Sequence, residues 1–318
     1  VALLNFILSN GRDALYLGVL WSVMALGVYI TFKLLKMADM TVDGSFALGG
    51  CVSAVMIVKG YDPFLTILMA VILGMAAGAV TGFLHTKLKI PAILAGILTM
   101  LSLYSINLRI LDGKSNVAMP LIGNAKVDTV IDKTMQLTNL GTKNANILFG
   151  VVLVGIIIAV LYWFFGTEIG SCIRATGNNE DMVRALGGNT DLMKVIGLII
   201  ANGLVAMSGA IVAQSQRYGD VGMGTGTIVI GLASIIIGEV VFGKGHSFYI
   251  KLTSVVVGSI LYRIAIAIVL RLGMNPNDLK LLTAVIVGLS LSFPVIKKYI
   301  AAKKKAAANR RNNQKEAA

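Results

Sequence analysis

Glu168-Ile-Gly-Ser-Cys-Ile-Arg-Ala-Thr-Gly-Asn-Asn-Glu-Asp-Met-Val-Arg-Ala-Leu-Gly-Gly-Asn-Thr-Asp191 is a polar island between two long apolar runs. It reads as a short, capped, amphipathic helix held between two membrane spans. Asn178 or Asn179 can take an orphan backbone N–H at the helix start. Glu180 and Asp181 then set negative charge against the positive end of the helix dipole. Met182, Val183 and Leu186 are expected on one face, because residues three and four apart are helical neighbours. Gly187-Gly188 stops the helix, and Asn189 to Asp191 offer caps for the next span. A helix of about two turns is too short to be stable alone, so the segment about 178–188 needs a surface to pack on. That makes it a candidate docking element for a cytosolic partner.

The runs on either side belong to a chain of 318 residues that is 56% hydrophobic and 14% charged. A soluble domain is nearer 45–50% apolar and about 25% charged. The expected fold class is therefore all-α, a polytopic membrane helix bundle. With roughly 20 apolar residues per crossing, the candidate spans are 14–32, 45–58, 64–84, 92–110, 147–166, 193–213, 227–243, 252–271 and 281–296. That is about nine, within a range of 8–10, and the second and seventh are short and rich in glycine. The first apolar run lacks a basic flank and a small-residue cleavage site, and is expected to stay as a span. Lys33 and Lys36, Lys87 and Lys89, the island, Lys244 and the C-terminal tail alternate correctly only with the N-terminus outside and the C-terminus cytoplasmic. On this topology residues 1–296 form the transmembrane domain, 111–146 an external loop and 297–318 a basic cytoplasmic tail. The net charge is +13, and about half of it lies in that tail. No folded module accompanies the tail in the way a nucleic-acid site requires, so its expected partner is the lipid surface.

Two segments echo one another. Met37-Ala-Asp-Met-Thr-Val-Asp-Gly-Ser-Phe-Ala-Leu-Gly-Gly50 precedes the second span, and Tyr218-Gly-Asp-Val-Gly-Met-Gly-Thr-Gly-Thr-Ile-Val-Ile-Gly231 precedes the seventh. An inverted internal repeat with glycine-interrupted segments points to a central pathway, whereas ordinary helix-entry turns are the plainer alternative. Asp39, Asp43, Ser45 and Asp220 lie in these segments and are candidate pathway residues, each aspartate being also a candidate cap. Arg263 lies within the eighth span, where a cation must face a cavity or a counter-charge. It either attracts an anionic group such as a carboxylate or ties two helices. Glu239 differs from it in depth by roughly 12 Å, which strains direct pairing. Asn107, Asn202 and Gln214 are expected to hydrogen-bond between helices. Gly74, Gly78 and Gly82 recur every four residues and predict close helix packing.

Catalytic signatures are missing from the sequence. The carboxylates are scattered, Cys51 and Cys172 are too far apart in topology to pair, and His85 and His246 are isolated. Gly113-Lys114-Ser115 ends like a P-loop, but position 108 is Leu. Neither a cofactor nor a metal site is expected, and any ATP hydrolysis belongs to another subunit.

Ala38-Asp-Met-Thr-Val-Asp-Gly-Ser-Phe-Ala-Leu-Gly-Gly50, Lys89-Ile-Pro-Ala-Ile-Leu-Ala-Gly-Ile-Leu-Thr99, the Arg174–Asp191 island and the region from Leu261 to Thr283 resemble a known family. The chain is similar to permease subunits of ABC-type importers in the branched-chain amino acid and ribose class, and its C-terminal region to a subgroup for tryptophan, tyrosine or related small solutes. The resemblance implies a homodimer of this subunit in a bacterial plasma membrane, a cytosolic ABC ATPase dimer and an extracellular or periplasmic binding lipoprotein. It also implies that the island is the coupling helix, with Asn179, Glu180, Met182, Val183, Arg184 and Leu186 at the ATPase, and that 39–50 and 219–231 flank the pathway. The competing readings are a secondary transporter driven by an ion gradient through Arg263, Glu239 and the aspartates, and a scaffold or channel.

Overall fold

The computed structural model describes residues 11–120, 127–138, 142–243 and 247–271, with 281, 283–285, 288 and 292 beyond them. Among these are α1 (Gly11–Tyr29), continued by a π-helical turn Ile30–Leu34, then α2 (Thr41–Val58), α3 (Pro63–Thr86) and α4 (Ala92–Ile110). Next come β1 (Asn116–Ala118), α5 (Val130–Thr138), α6 (Thr142–Gly166), α7 (Glu168–Asn178), α8 (Glu180–Ala185) and α9 (Thr190–Gln216). The described chain then gives β2 (Tyr218–Asp220), α10 (Thr227–Phe242) and α11 (Phe248–Arg271). Seven of these helices are long and apolar enough to cross a membrane, and α10 is a shorter apolar helix. The predicted span 281–296 falls largely outside the described residues, as do the basic tail, Lys244 and His246.

Local chemistry sets the boundaries. Asp62 accepts the Phe64 N–H at 2.8 Å and Pro63 opens α3, where its missing N–H costs nothing. α9 ends at Arg217, which is left-handed (φ 60°) and returns its N–H to Ala213. The external loop expected at 111–146 is partly structured: β1 pairs antiparallel with β2, and α5 sits before α6, which begins at Thr142.

α1, α2 and α9 form the buried centre, while α3, α4 and α6 leave most of their surface outward. The α3 glycines pack as their spacing predicts. A Cβ on Gly74 or Gly78 would strike the backbone carbonyls of Asn202 or Leu198, and one on Gly82 would press on Val195. Small residues let the two backbones approach where no water drives them together.

Ion pairs gather at the two ends of the bundle. At one end Lys33 meets Glu239 at 2.8 Å, Lys89 meets Asp191 at 3.4 Å, and Lys36 donates to Asn178 at 3.1 Å. At the other end Lys133 pairs with Asp62, and Arg217 with Asp132. Lys33, Lys36 and Lys89 thus share an end with the island.

Candidate functional site

The island folds as two helices, α7 and α8, where the sequence reading expected one. Thr167 caps α7 by accepting the Gly170 N–H at 3.3 Å, and Ile173 is buried in the core. Arg174 lies over the Phe248 ring at 5.2 Å, so α7 is fastened under the end of the bundle. The signal for α7 was the Ile169 and Ile173 pair behind a threonine cap.

α8 projects from this base. Asn179 is its cap, accepting the Met182 N–H at 3.0 Å, and Gly187 ends the turn in the left-handed region (φ 83°). Asn189 caps α9 by accepting the Leu192 N–H at 3.0 Å. One Glu180 oxygen receives Arg184 at 2.6 Å and Lys194 at 2.7 Å. Arg184 also donates to the Thr190 hydroxyl at 2.8 Å. The Lys194 hydrogen bond, with the Lys194 and Arg184 charges outweighing desolvation, holds the Glu180 carboxyl below the usual carboxylate range. Met182 is 47% exposed and Leu186 80%, but Val183 is only 5% exposed and packs back against Gly188. The expected three-residue apolar face is therefore corrected to Met182 and Leu186. Val183 turns inward because it anchors a helix too short to hold itself.

The candidate pathway residues occupy five separate places. Asp39 is buried, accepting the Thr41 N–H at 2.9 Å and the Asn202 amide at 2.8 Å. Ser45 donates to the same Asn202 at 2.7 Å. These bonds satisfy the chain break between α1 and α2 inside the bundle. Asp43 reaches 183 residues along the chain to accept the Gly226 N–H at 2.9 Å. It also accepts the Thr227 hydroxyl at 2.8 Å and the Ile228 N–H at 3.0 Å, and so caps α10. The two echoing segments therefore touch. Asp220 only closes a turn, accepting the Gly222 N–H at 2.6 Å. Glu239 pairs with Lys33, beside a cavity of about 500 Å³ that Tyr29 and Lys251 also line. Arg263 stands apart from every carboxylate among the described residues, stacked 3.9 Å from the Trp21 ring centroid.

Asn202 and Gln214 link helices as expected, Gln214 donating to Ser53 at 3.0 Å and Thr66 at 3.1 Å. Asn107 does not: both of its amide atoms are buried without a partner among the described residues. Trp21, at the centre of the Arg263 contact, gave no sequence signal beyond being aromatic in an apolar run.

This bundle is similar to a solved metal-chelate type ABC transporter in an inward-facing conformation. The likeness covers 93% of this chain and 89% of that one, with TM-score 0.50 and 14% identity. That likeness shows the fold alone, a multi-pass membrane helix bundle. The chain belongs to the family of permease components of branched-chain amino acid transport systems, whose profile matches residues 12–290. It is 41% identical to the tyrosine transport system permease protein of Clostridioides difficile (strain R20291), over 84% of this chain and 85% of the relative. It is 24% identical to the ribose import permease protein of Escherichia coli (strain K12), over 71% and 68% respectively. The protein is a transport component of an ABC importer, a class whose permeases work with ATPase and binding-protein partners.

Proposed function

We propose that this chain carries an amino acid, tyrosine first among them, into the cytoplasm as one half of a homodimeric permease. Its N-terminus is outside, its C-terminus cytoplasmic, and residues 178–188 are the element that a cytosolic ATPase grips. The observation that carries this reading is the exposed Met182–Leu186 pair on a helix braced from behind by Val183, Glu180, Arg184 and Lys194. An apolar knob on a rigid mount suits a groove on a partner, whereas a loose loop would absorb the push. The brace leads into α9 through Lys194 and Thr190, and α9 carries Asn202, the hub of Asp39 and Ser45. A movement of α8 therefore reaches the buried polar centre along one helix. The contact between the echoing segments supports an inverted repeat around that centre. The choice of tyrosine rests on the 41% identical relative.

The test is reconstitution with the ATPase and binding protein in proteoliposomes, measuring ATP-dependent uptake of labelled L-tyrosine. Leu186→Asp should lower uptake and stimulated ATP hydrolysis at least about tenfold, since a charge in an apolar groove costs more than about 1.4 kcal/mol. Membrane insertion should be unchanged. Normal coupling in Leu186→Asp would remove α8 from the mechanism.

A further inference from the structure

Trp21 of α1, Phe46 of α2 and Arg263 of α11 form one stack. The Arg263 guanidinium lies over Trp21, and Trp21 packs on Phe46 with ring centroids 4.9 Å apart. The Ser259 hydroxyl donates to the Gly18 carbonyl at 2.8 Å, and the Ser208 hydroxyl to the Leu20 carbonyl at 3.0 Å. These bonds fix α1 against α11 and α9 on the stretch that holds Trp21. The aromatic platform is rigid.

Hydrogen-bond donors are left over on this platform. Nε and Nη2 of Arg263 and Nε1 of Trp21 are all buried with no partner among the described residues. The carboxylates that might have answered Arg263 are committed elsewhere: Glu239 to Lys33, Asp43 to α10 and Asp39 to Asn202. Nε and Nη2 form one edge of the guanidinium, the fork that takes a carboxylate through two parallel bonds. A helix tie has no need of that open edge, and a cation stacked at membrane depth without an acceptor is costly. The neighbourhood also fits a solute site. α10 begins at the buried Thr227, capped by Asp43 from α2, and helices that start or break within the membrane are where carriers bind solutes.

We propose that the Arg263 fork, held by Trp21 and flanked by the indole N–H, receives the carboxylate group of the solute as it crosses. This rests on reading the chain as an amino acid permease and adds the residues that hold the cargo's carboxylate on its way through. Trp21 is the positioning residue, and Arg263 makes the contact.

The sequence holds two tryptophans, so Trp163→Phe leaves Trp21 as the sole indole reporter. Trp163 is 71% exposed on α6, away from this platform. The full-length permease in lipid nanodiscs is titrated with L-tyrosine and with tyramine, which share ring and amine and differ in the carboxylate. L-leucine is run alongside. Trp21 emission, excited where tyrosine does not absorb, should change saturably with L-tyrosine and stay flat with tyramine. Arg263→Gln should raise the half-saturating concentration about 10- to 100-fold. An equal response to both compounds would overturn the site, as would a response unchanged in Arg263→Gln. The tyrosine–tyramine comparison needs no Arg263 variant, so poor folding of that variant does not protect the proposal. Thermal unfolding of Arg263→Met separates the roles further: the site reading expects a midpoint equal to or above that of the parent. Uptake by the full assembly is a separate measurement. Tyrosine uptake with a silent Trp21 sinks only this site, and a carboxylate response to L-leucine without tyrosine uptake sinks only the choice of cargo.

Discussion

Glu180 holds α8 in place, because one of its oxygens collects both Arg184 and Lys194. Its pKa is lowered by folding, so its stabilising contribution is complete above the unfolded value, near 4.3. That contribution is lost as pH falls through the lower folded value. Glu180→Gln should destabilise the island by about 1 kcal/mol at neutral pH. Hydrogen exchange of the α8 amides, compared between parent and variant, should show a gap that closes in acid. A gap that persists at a pH where the parent carboxyl is protonated would contradict the bracket. Sequence alone narrows the caps to Asn178 or Asn179 and to Asn189–Asp191, since a cap acts within three residues of itself, and the structure selects Asn179 and Asn189. It cannot show that Asp43 caps α10, that Lys33 claims Glu239, or that Arg263 lies on Trp21. Those pairings join residues far apart in the chain, and no local periodicity encodes them. Val183 was assigned outward for a related reason: helical spacing orders residues around an axis but does not say which side is covered.

Helix packing here depends on whether a backbone approaches a glycine. Gly78 on α3 faces the Leu198 carbonyl of α9, whereas Gly155 within α6 has open space where a Cβ would lie. Gly78→Ala should therefore separate the helices and cost about 1–3 kcal/mol. Gly155→Ala should be neutral or stabilising by up to about 1 kcal/mol, because alanine is the better helix former. Thermal unfolding of the two variants in detergent checks the contrast, and equal effects would show that the α3–α9 contact is looser than described. The stripe was legible because its four-residue spacing is itself a packing rule. The long spans were legible from hydropathy. The division of the island into α7 and α8 was harder to read, since Gly177 and two asparagines interrupt a region too polar for hydropathy to guide.

The whole molecule is a bundle with two chemically distinct ends, the island end tied through Lys33–Glu239 and Lys89–Asp191 and the opposite end through Lys133–Asp62 and Arg217–Asp132. Lys33, Lys36 and Lys89, which the charge rule put on one side, share the island end; labelling of α8 decides which side of the membrane that end faces. On the proposed reading, a force applied at α8 would enter α9 through Lys194 and Thr190 and reach Asn202, which holds Asp39 and Ser45. That transmission requires α8 to be on the ATPase side of the membrane. The most direct measurement replaces Cys51 and Cys172 with alanine, introduces Leu186→Cys, and exposes intact cells and inside-out vesicles to a membrane-impermeant maleimide. Labelling is predicted only in inside-out vesicles, and bound ATPase should block it. Labelling from the outer medium of intact cells would contradict the account.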